Sequence, residues 1–272
     1  MSAMNGLDDT RDQSGLGRYV RQTALAGFGD AAQERLAAAR VLVLGAGGLG
    51  SPTLLYLAAC GVGTLGIVDD DVVEEHNLAR QLIHATSAVG MTKVASAAQT
   101  LERVNPDVEV VQHRIRLDAG NARSVVTAYD VVVDCADNFE ARYAVSLAAQ
   151  QAGVPHVWGA ALGYDGRVSV WSPPDGPCLS CVFPLRPGPG VIPTCVEVGV
   201  FGPVCGAVGS MQAAETVKIV TGVGEPMVGR LALFDARRGS WQIIPVRRHP
   251  QCPQCPQCHQ RHASHSRGSG EE

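Results

Sequence analysis

Nine cysteines and one glycine-rich turn carry most of the chemistry this chain can offer. Cys178-Leu179-Ser180-Cys181 is one C-x-x-C, and Cys252-Pro253-Gln254-Cys255 is a second. Two such knuckles make a tetrahedral thiolate site for Zn2+. Their separation is far longer than in a compact zinc ribbon, so the metal would tie the chain end back to its middle, a structural role. A redox C-x-x-C is the alternative, and two pairs in one chain favour zinc. Cys258 repeats the spacing and could substitute for a ligand. With His259, His262 and His265 it also fits a polar, metal-attracting tail. Cys195 differs, standing in Pro193-Thr194-Cys195-Val196-Glu197 after a Pro/Gly-rich stretch from Pro184. A loop carrying one cysteine is a place for a nucleophile, although lone cysteines are more often small buried hydrophobes. Cys60, Cys135 and Cys205 lie in apolar segments and read as buried.

The second set of residues points to phosphate. The apolar run Val41-Leu42-Val43-Leu44 leads into Gly45-Ala46-Gly47-Gly48-Leu49-Gly50, then Ser51 and Pro52 open a helix. A further strand, Thr64 to Val68, ends in Asp69-Asp70-Asp71. Strand, G-x-G-x-x-G, helix, strand and acid is the order of a dinucleotide-binding unit. Gly45 permits the tight turn, Gly47 lets the backbone approach a phosphate, and Gly50 lets helix and strand pack closely. Asp69 can accept hydrogen bonds from ribose hydroxyls. The segment after Asp71 has no clear period and reads as a loop at a carboxyl strand end, where ligands sit in open α/β sheets. It offers Asn77, Arg80 and Gln81. Lys93, at the start of the next helix, is either a phosphate contact or a solvated lysine. Asp137, after the strand Asp130 to Cys135, is either a Mg2+ ligand or the N-cap of the helix Phe139 to Ala152.

These groups need an α/β framework. The pattern predicts helices over 31–39 (capped by Asp30), 92–105, 139–152 and 204–221. It predicts parallel strands near 41–44, 64–68, 108–113, 130–135 and 154–161. Alternating segments then follow at Arg167 to Trp171, Leu231 to Phe234 and Trp241 to Val246, the last two as a hairpin. The expected sheet is mixed, with a parallel N-terminal part and antiparallel C-terminal strands. The chain of 272 residues reads as one domain over 18–258, with disordered ends at 1–17 and 259–272. At 46% hydrophobic and 18% charged, it can bury a substantial core. A net charge of −4 gives no general affinity for nucleic acid. No run of about 18 apolar residues predicts a membrane span, and no signal peptide is evident, so the expected location is cytoplasmic.

In order, these motifs resemble the ThiF/MoeB/HesA group of E1-like adenylyltransferases, bacterial relatives of ubiquitin-activating enzymes. The matching pieces run from Arg18-Tyr19-x-Arg21-Gln22 through the glycine turn, Asp69-x-Asp71, Asn77-Leu78-x-Arg80-Gln81 and Gly90-x-x-Lys93. They continue through Asp134-Cys135-x-Asp137-Asn138, Gly166-x-Val168-x-Val170, Thr194-Cys195-x-Glu197-x-Gly199, Gly209-Ser210-x-Gln212-Ala213 and both C-x-x-C pairs. The resemblance implies a Rossmann-like E1 adenylation fold with helices on both faces. It implies ATP and Mg2+, with Asp69 on the ribose, Arg80 and Lys93 on phosphates and Asp137 at the magnesium. Gly45, Gly47, Gly48, Gly50, Asp71, Asn77 and Gln81 complete the nucleotide site. Arg21 would reach the phosphates of a partner subunit, which requires a homodimer. The substrate implied is a ubiquitin-like sulfur-carrier protein ending in Gly-Gly, and Cys195 takes the place of a loop cysteine that bonds covalently to the carrier in some members.

The implied reaction suits these residues. The attacking carboxylate has a pKa of about 3.3–3.7 and is ionised at pH 7, so no general base is needed. The obstacle is anion attacking anion, which Arg, Lys and Mg2+ charge can relieve. Ala136, Ser146 and Gly163 depart from the family's usual residues, and Gly163 lies beside the implied carrier channel. No sulfurtransferase domain follows the cysteines, so sulfur would come from a separate donor protein. Three other readings stay open: adenylation of a peptide or carrier in a dedicated biosynthetic pathway, a nicotinamide-dependent oxidoreductase, and a non-catalytic module that binds a ubiquitin-like partner.

Overall fold

The computed structural model describes residues 17–172, 176–188, 195–252, 254 and 255, with backbone alone at Cys195 and Val196. The expectations for 1–16, 189–194, Cys258, His259, His262, His265 and the C-terminal tail lie outside the described residues. The strands are β1 (Arg40–Leu44), β2 (Thr64–Val68), β3 (Glu109–His113), β4 (Val131–Asp134), β5 (His156–Leu162), β6 (Asp165–Trp171), β7 (Arg230–Asp235) and β8 (Ser240–Pro245). The helices are α1 (Val20–Thr23), α2 (Gly29–Ala38), α3 (Gly50–Ala59), α4 (Lys93–Val104), α5 (Ala122–Val126), α6 (Phe139–Ala152), α7 (Leu179–Val182), α8 (Cys195–Val198) and α9 (Gly202–Thr221).

Among the described residues, eight strands form one sheet in the order β3-β2-β1-β4-β5-β6-β7-β8. β3 to β5 pair in parallel, and every pairing from β5 to β8 is antiparallel. The mixed sheet is the one the sequence pattern predicts. Central strands are apolar on both faces, so both faces need cover. Val41, Val43, Leu65, Ile67 and Val133 pack with α2, α3, α4 and α9 on one face. Leu42, Leu44, Val68 and Val132 pack with α5 and α6 on the other.

Local differences from the sequence reading have simple causes. α2 begins at Gly29, so Asp30 sits in its first turn and does not cap it. Asn138, not Asp137, caps α6, its Oδ1 accepting the Ala141 N–H at 2.9 Å. The short α5 has no counterpart in the sequence pattern, because a turn and a half between Asn121 and Thr127 is too short to show a helical period. Cys135 and Cys205 are buried as expected, whereas Cys60 is only half-buried at the end of α3. Among the described residues, no helix is long and apolar enough to cross a membrane.

Candidate active site

β1 and β4 are neighbours although they are distant in sequence, which makes the gap beyond their carboxyl ends the topological switch point of the sheet. The glycine turn leaves β1 here. Gly45 has φ +95°, and a Cβ on Gly50 would stand 1.9 Å from the Gly45 carbonyl oxygen, so both positions require glycine. A Cβ on Gly48 would press on Cys205 Sγ at 2.9 Å, whereas one on Gly47 would meet only Gln81 Nε2, at 3.6 Å. Glycine at Gly47 therefore serves the open side of the turn rather than its packing. Among the described residues, the N–H groups of Gly47, Gly48 and Leu49 have no acceptor. They stand before the N-terminus of α3, an arrangement that binds anions.

The acidic strand end lies alongside. Asp69 accepts the Ala46 N–H on Oδ2 at 2.8 Å and the Asp71 N–H on Oδ1 at 3.0 Å. Burial raises its pKa, opposed by the charge of Lys93. Its remaining lone pairs are available to hydroxyl donors. Lys93 is buried rather than solvated; its Nζ donates to Asp71 Oδ2 at 2.8 Å, and Asp71 is exposed. Arg80 is half-buried, with Nη1 on the His76 carbonyl at 3.1 Å. Asn77 is buried and accepts the Glu74 N–H at 3.4 Å, bonding the backbone of its own turn. Gln81 is buried under Gly47, and its Oε1 has no protein partner.

Asp137 is exposed where the chain leaves β4. The turn beneath it is held by Asp134 and Gln212, which the sequence analysis gave only as parts of motifs, and by Arg142 and His156, which it did not single out. Arg142 donates to the Ala136 carbonyl and, at 2.8 Å, to the Gly159 carbonyl. Asp134 is fully buried and accepts the Ala136 N–H at 3.0 Å, with His156 3.5 Å and Arg142 3.9 Å from its other oxygen. Gln212 of α9 donates to the Asp134 carbonyl at 2.8 Å. A second omission is His84, a buried histidine bonded to the carbonyl of Ala46. The only sequence signal for it was a polar residue closing the apolar pair Leu82-Ile83.

Two candidates stand apart from this cluster. Arg21 is exposed on α1. The neighbouring Gln22 bonds the Cys60 carbonyl and Tyr19 packs on Gly61, which places the segment at the far end of α3, about 15 Å from the glycine turn along the helix axis. The backbone of Cys195 begins α8. Just beyond it, Gly163 donates to the Gly199 carbonyl at 3.0 Å and accepts from the Phe201 N–H at 2.8 Å. This brings α8 to the β5–β6 turn, on the same sheet edge as the crevice.

The four cysteines gather at the opposite edge, where β6 and β8 end. Cys178, Cys181, Cys252 and Cys255 are buried together. Their sulfurs lie 3.3–3.7 Å apart along the four close pairs. Zn–S bonds of about 2.3 Å in a tetrahedron separate sulfurs by about 3.8 Å, so the cluster fits a zinc ion with little adjustment. Hydrogen bonding from Cys178 holds the Cys181 thiol below its ordinary range, while burial pushes Cys255 up. Ser180 donates to Gln254 Oε1 at 2.6 Å, joining the two knuckles.

Comparison with known proteins agrees with this architecture. Residues 19–254 match the model of the ThiF family. The chain is 46% identical over 242 residues to the sulfur carrier protein adenylyltransferase of Thermus thermophilus, covering 87% of this chain and 89% of that protein. It is 46% identical over 237 residues to the probable adenylyltransferase/sulfurtransferase MoeZ of Mycobacterium tuberculosis. That match covers 86% of this chain but only 60% of the relative's length. The crystal structure of MccB from E. coli superposes with a TM-score of 0.78 at 22% identity, covering 90% of this chain and 73% of that one. At that identity it speaks for the fold alone.

Proposed function

The chain belongs to the ThiF family, and from that premise we propose that it adenylates the C-terminal Gly-Gly carboxylate of a ubiquitin-like sulfur-carrier protein. The carrier carboxylate attacks the α-phosphorus of ATP. The bond from that phosphorus to the bridging oxygen breaks, and pyrophosphate leaves with its electron pair. No proton moves, and the site needs none of its histidines as a base. The observation that carries this reading is the convergence at the β1/β4 switch point of unpaired turn N–H groups, the Asp69 carboxylate and the exposed Asp137.

In this reading the turn 45–50 and α3 cradle the phosphates and Asp69 holds the ribose. Arg80 and Lys93 neutralise charge that builds on the leaving pyrophosphate, Lys93 giving up or sharing its bond to Asp71. Asp137 would hold Mg2+, which supplies further charge neutralisation. Arg21 is supplied by a second copy, in keeping with its distance from the turn within its own chain, so the protein acts as a homodimer. Zn2+ at the four cysteines is structural. The acyl-adenylate then goes to thiocarboxylate formation, with Cys195 as the group that could hold the carrier covalently and sulfur coming from a separate donor protein in the cytoplasm. The test is ATP–pyrophosphate exchange with and without a small carrier ending in Gly-Gly. Exchange that requires carrier and Mg2+ supports the reading. Carrier binding without exchange, from folded zinc-loaded protein, replaces it with a binding module.

A further inference from the structure

We infer that His84 is a positioning residue that aims the Gly47 N–H at the nucleotide phosphates. This inference deepens the adenylation reading and rests on it. His84 is buried in the segment that follows Arg80 and Gln81. Its Nε2 lies 2.9 Å from the Ala46 carbonyl oxygen, and its Nδ1 lies 2.9 Å from Ser96 Oγ on α4. A carbonyl oxygen only accepts, so Nε2 carries the hydrogen. Nδ1 therefore accepts from the Ser96 hydroxyl, and one tautomer is selected.

The consequence follows from peptide geometry. Across a trans peptide, the C=O and the following N–H point in opposite directions. Holding the Ala46 carbonyl down onto His84 turns the Gly47 N–H the other way, out of the protein and into the anion cradle. The other side of Ala46 is also fixed, its N–H donating to Asp69 Oδ2 at 2.8 Å. A clamp is needed because glycine lets the Ala46–Gly47 peptide flip at little steric cost, which would present a carbonyl oxygen to the phosphates instead. The aliphatic neighbours Leu82 and Ile83 could not supply this hydrogen bond.

The test uses full-length zinc-loaded protein and Mg·ATP, with binding followed by calorimetry and rates by pyrophosphate exchange. His84→Phe keeps a ring but removes the donor, and the expected result is an ATP affinity about tenfold weaker, the scale of one buried hydrogen bond, with kcat changed less. His84→Gln retains an N–H near Nε2 and should stay within about threefold of wild type. Ring 15N shifts of the unmodified protein should report the Nε2–H tautomer, a readout that survives if a variant folds poorly. An Nδ1–H tautomer, a Phe variant that binds ATP like wild type, or a Gln variant as weak as Phe each overturns the inference while leaving adenylation intact. Wild-type protein that binds no ATP overturns the adenylation reading itself, and this inference with it.

Discussion

The two edges of the sheet solve different problems. At the carboxyl edge of the parallel strands, the candidate active site is largely backbone: a glycine turn, a helix start, and chain segments beyond β2 and β4 whose acids Asp69, Asp71 and Asp137 are half-buried or exposed. At the other edge the cysteine centre is wholly side chain, fully enclosed, and closed by residues more than seventy positions apart. The first edge spends stability on access, since Asp69 is held against its own burial. The second excludes solvent and joins the last strand to the middle of the chain. Function and stability should therefore separate when each edge is altered.

The largest separation is expected at the active edge. Arg80→Ala and Asp137→Ala should each lower the pyrophosphate-exchange rate by about 10²–10³-fold, with melting temperatures within about 2 °C of wild type by calorimetry. Full activity in Arg80→Ala would remove its phosphate role. At the other edge, chelation or Cys252→Ser should lower the melting temperature by about 10 °C, taking roughly 4 kcal/mol of metal linkage and 2–4 °C per kcal/mol. Metal analysis finding no zinc in active protein would contradict the structural assignment. Asn138→Ala sharpens the contrast with its neighbour Asp137: loss of the α6 cap should cost about 1 kcal/mol, or 2–4 °C, with exchange largely kept.

The smallest effect concerns pH. Burial holds the His84 pKa below its usual value. The unfolded chain then takes up the proton first on acidification, so this contribution is intact above about pH 6.5 and is lost as pH falls. Melting temperature measured from pH 7.5 to 5.5 should fall less in His84→Gln than in wild type. His113, shifted the same way by burial, supplies a background common to both.

The same contrast explains what the sequence disclosed. The glycine turn, Asp69, Lys93 and the order of strands are written in contiguous residues, because local backbone geometry dictates residue type at each step. β2 and the α4 boundaries at Thr92 and Asn105 match their expected positions for this reason. The paired C-x-x-C spacing pointed to a cysteine cluster able to hold a metal, although only the fold brings its halves together. What escaped notice depends on contacts across the sheet. Nothing local to Arg142 predicts that it bonds Ala136 and Gly159 while facing a buried Asp134. Nothing local to His84 predicts its carbonyl partner 38 residues away. Asn138 and Asp137 are equally good caps on composition, and only the backbone conformation chooses between them.

The most direct measurement is intact-mass analysis of a Gly-Gly-ending carrier incubated with this protein, ATP and Mg2+. A carrier species heavier by one adenylyl group, formed by wild-type protein and missing with Asp137→Ala, is the predicted result. Carrier that stays unmodified in the presence of folded, zinc-loaded protein that binds both ATP and carrier would contradict the account.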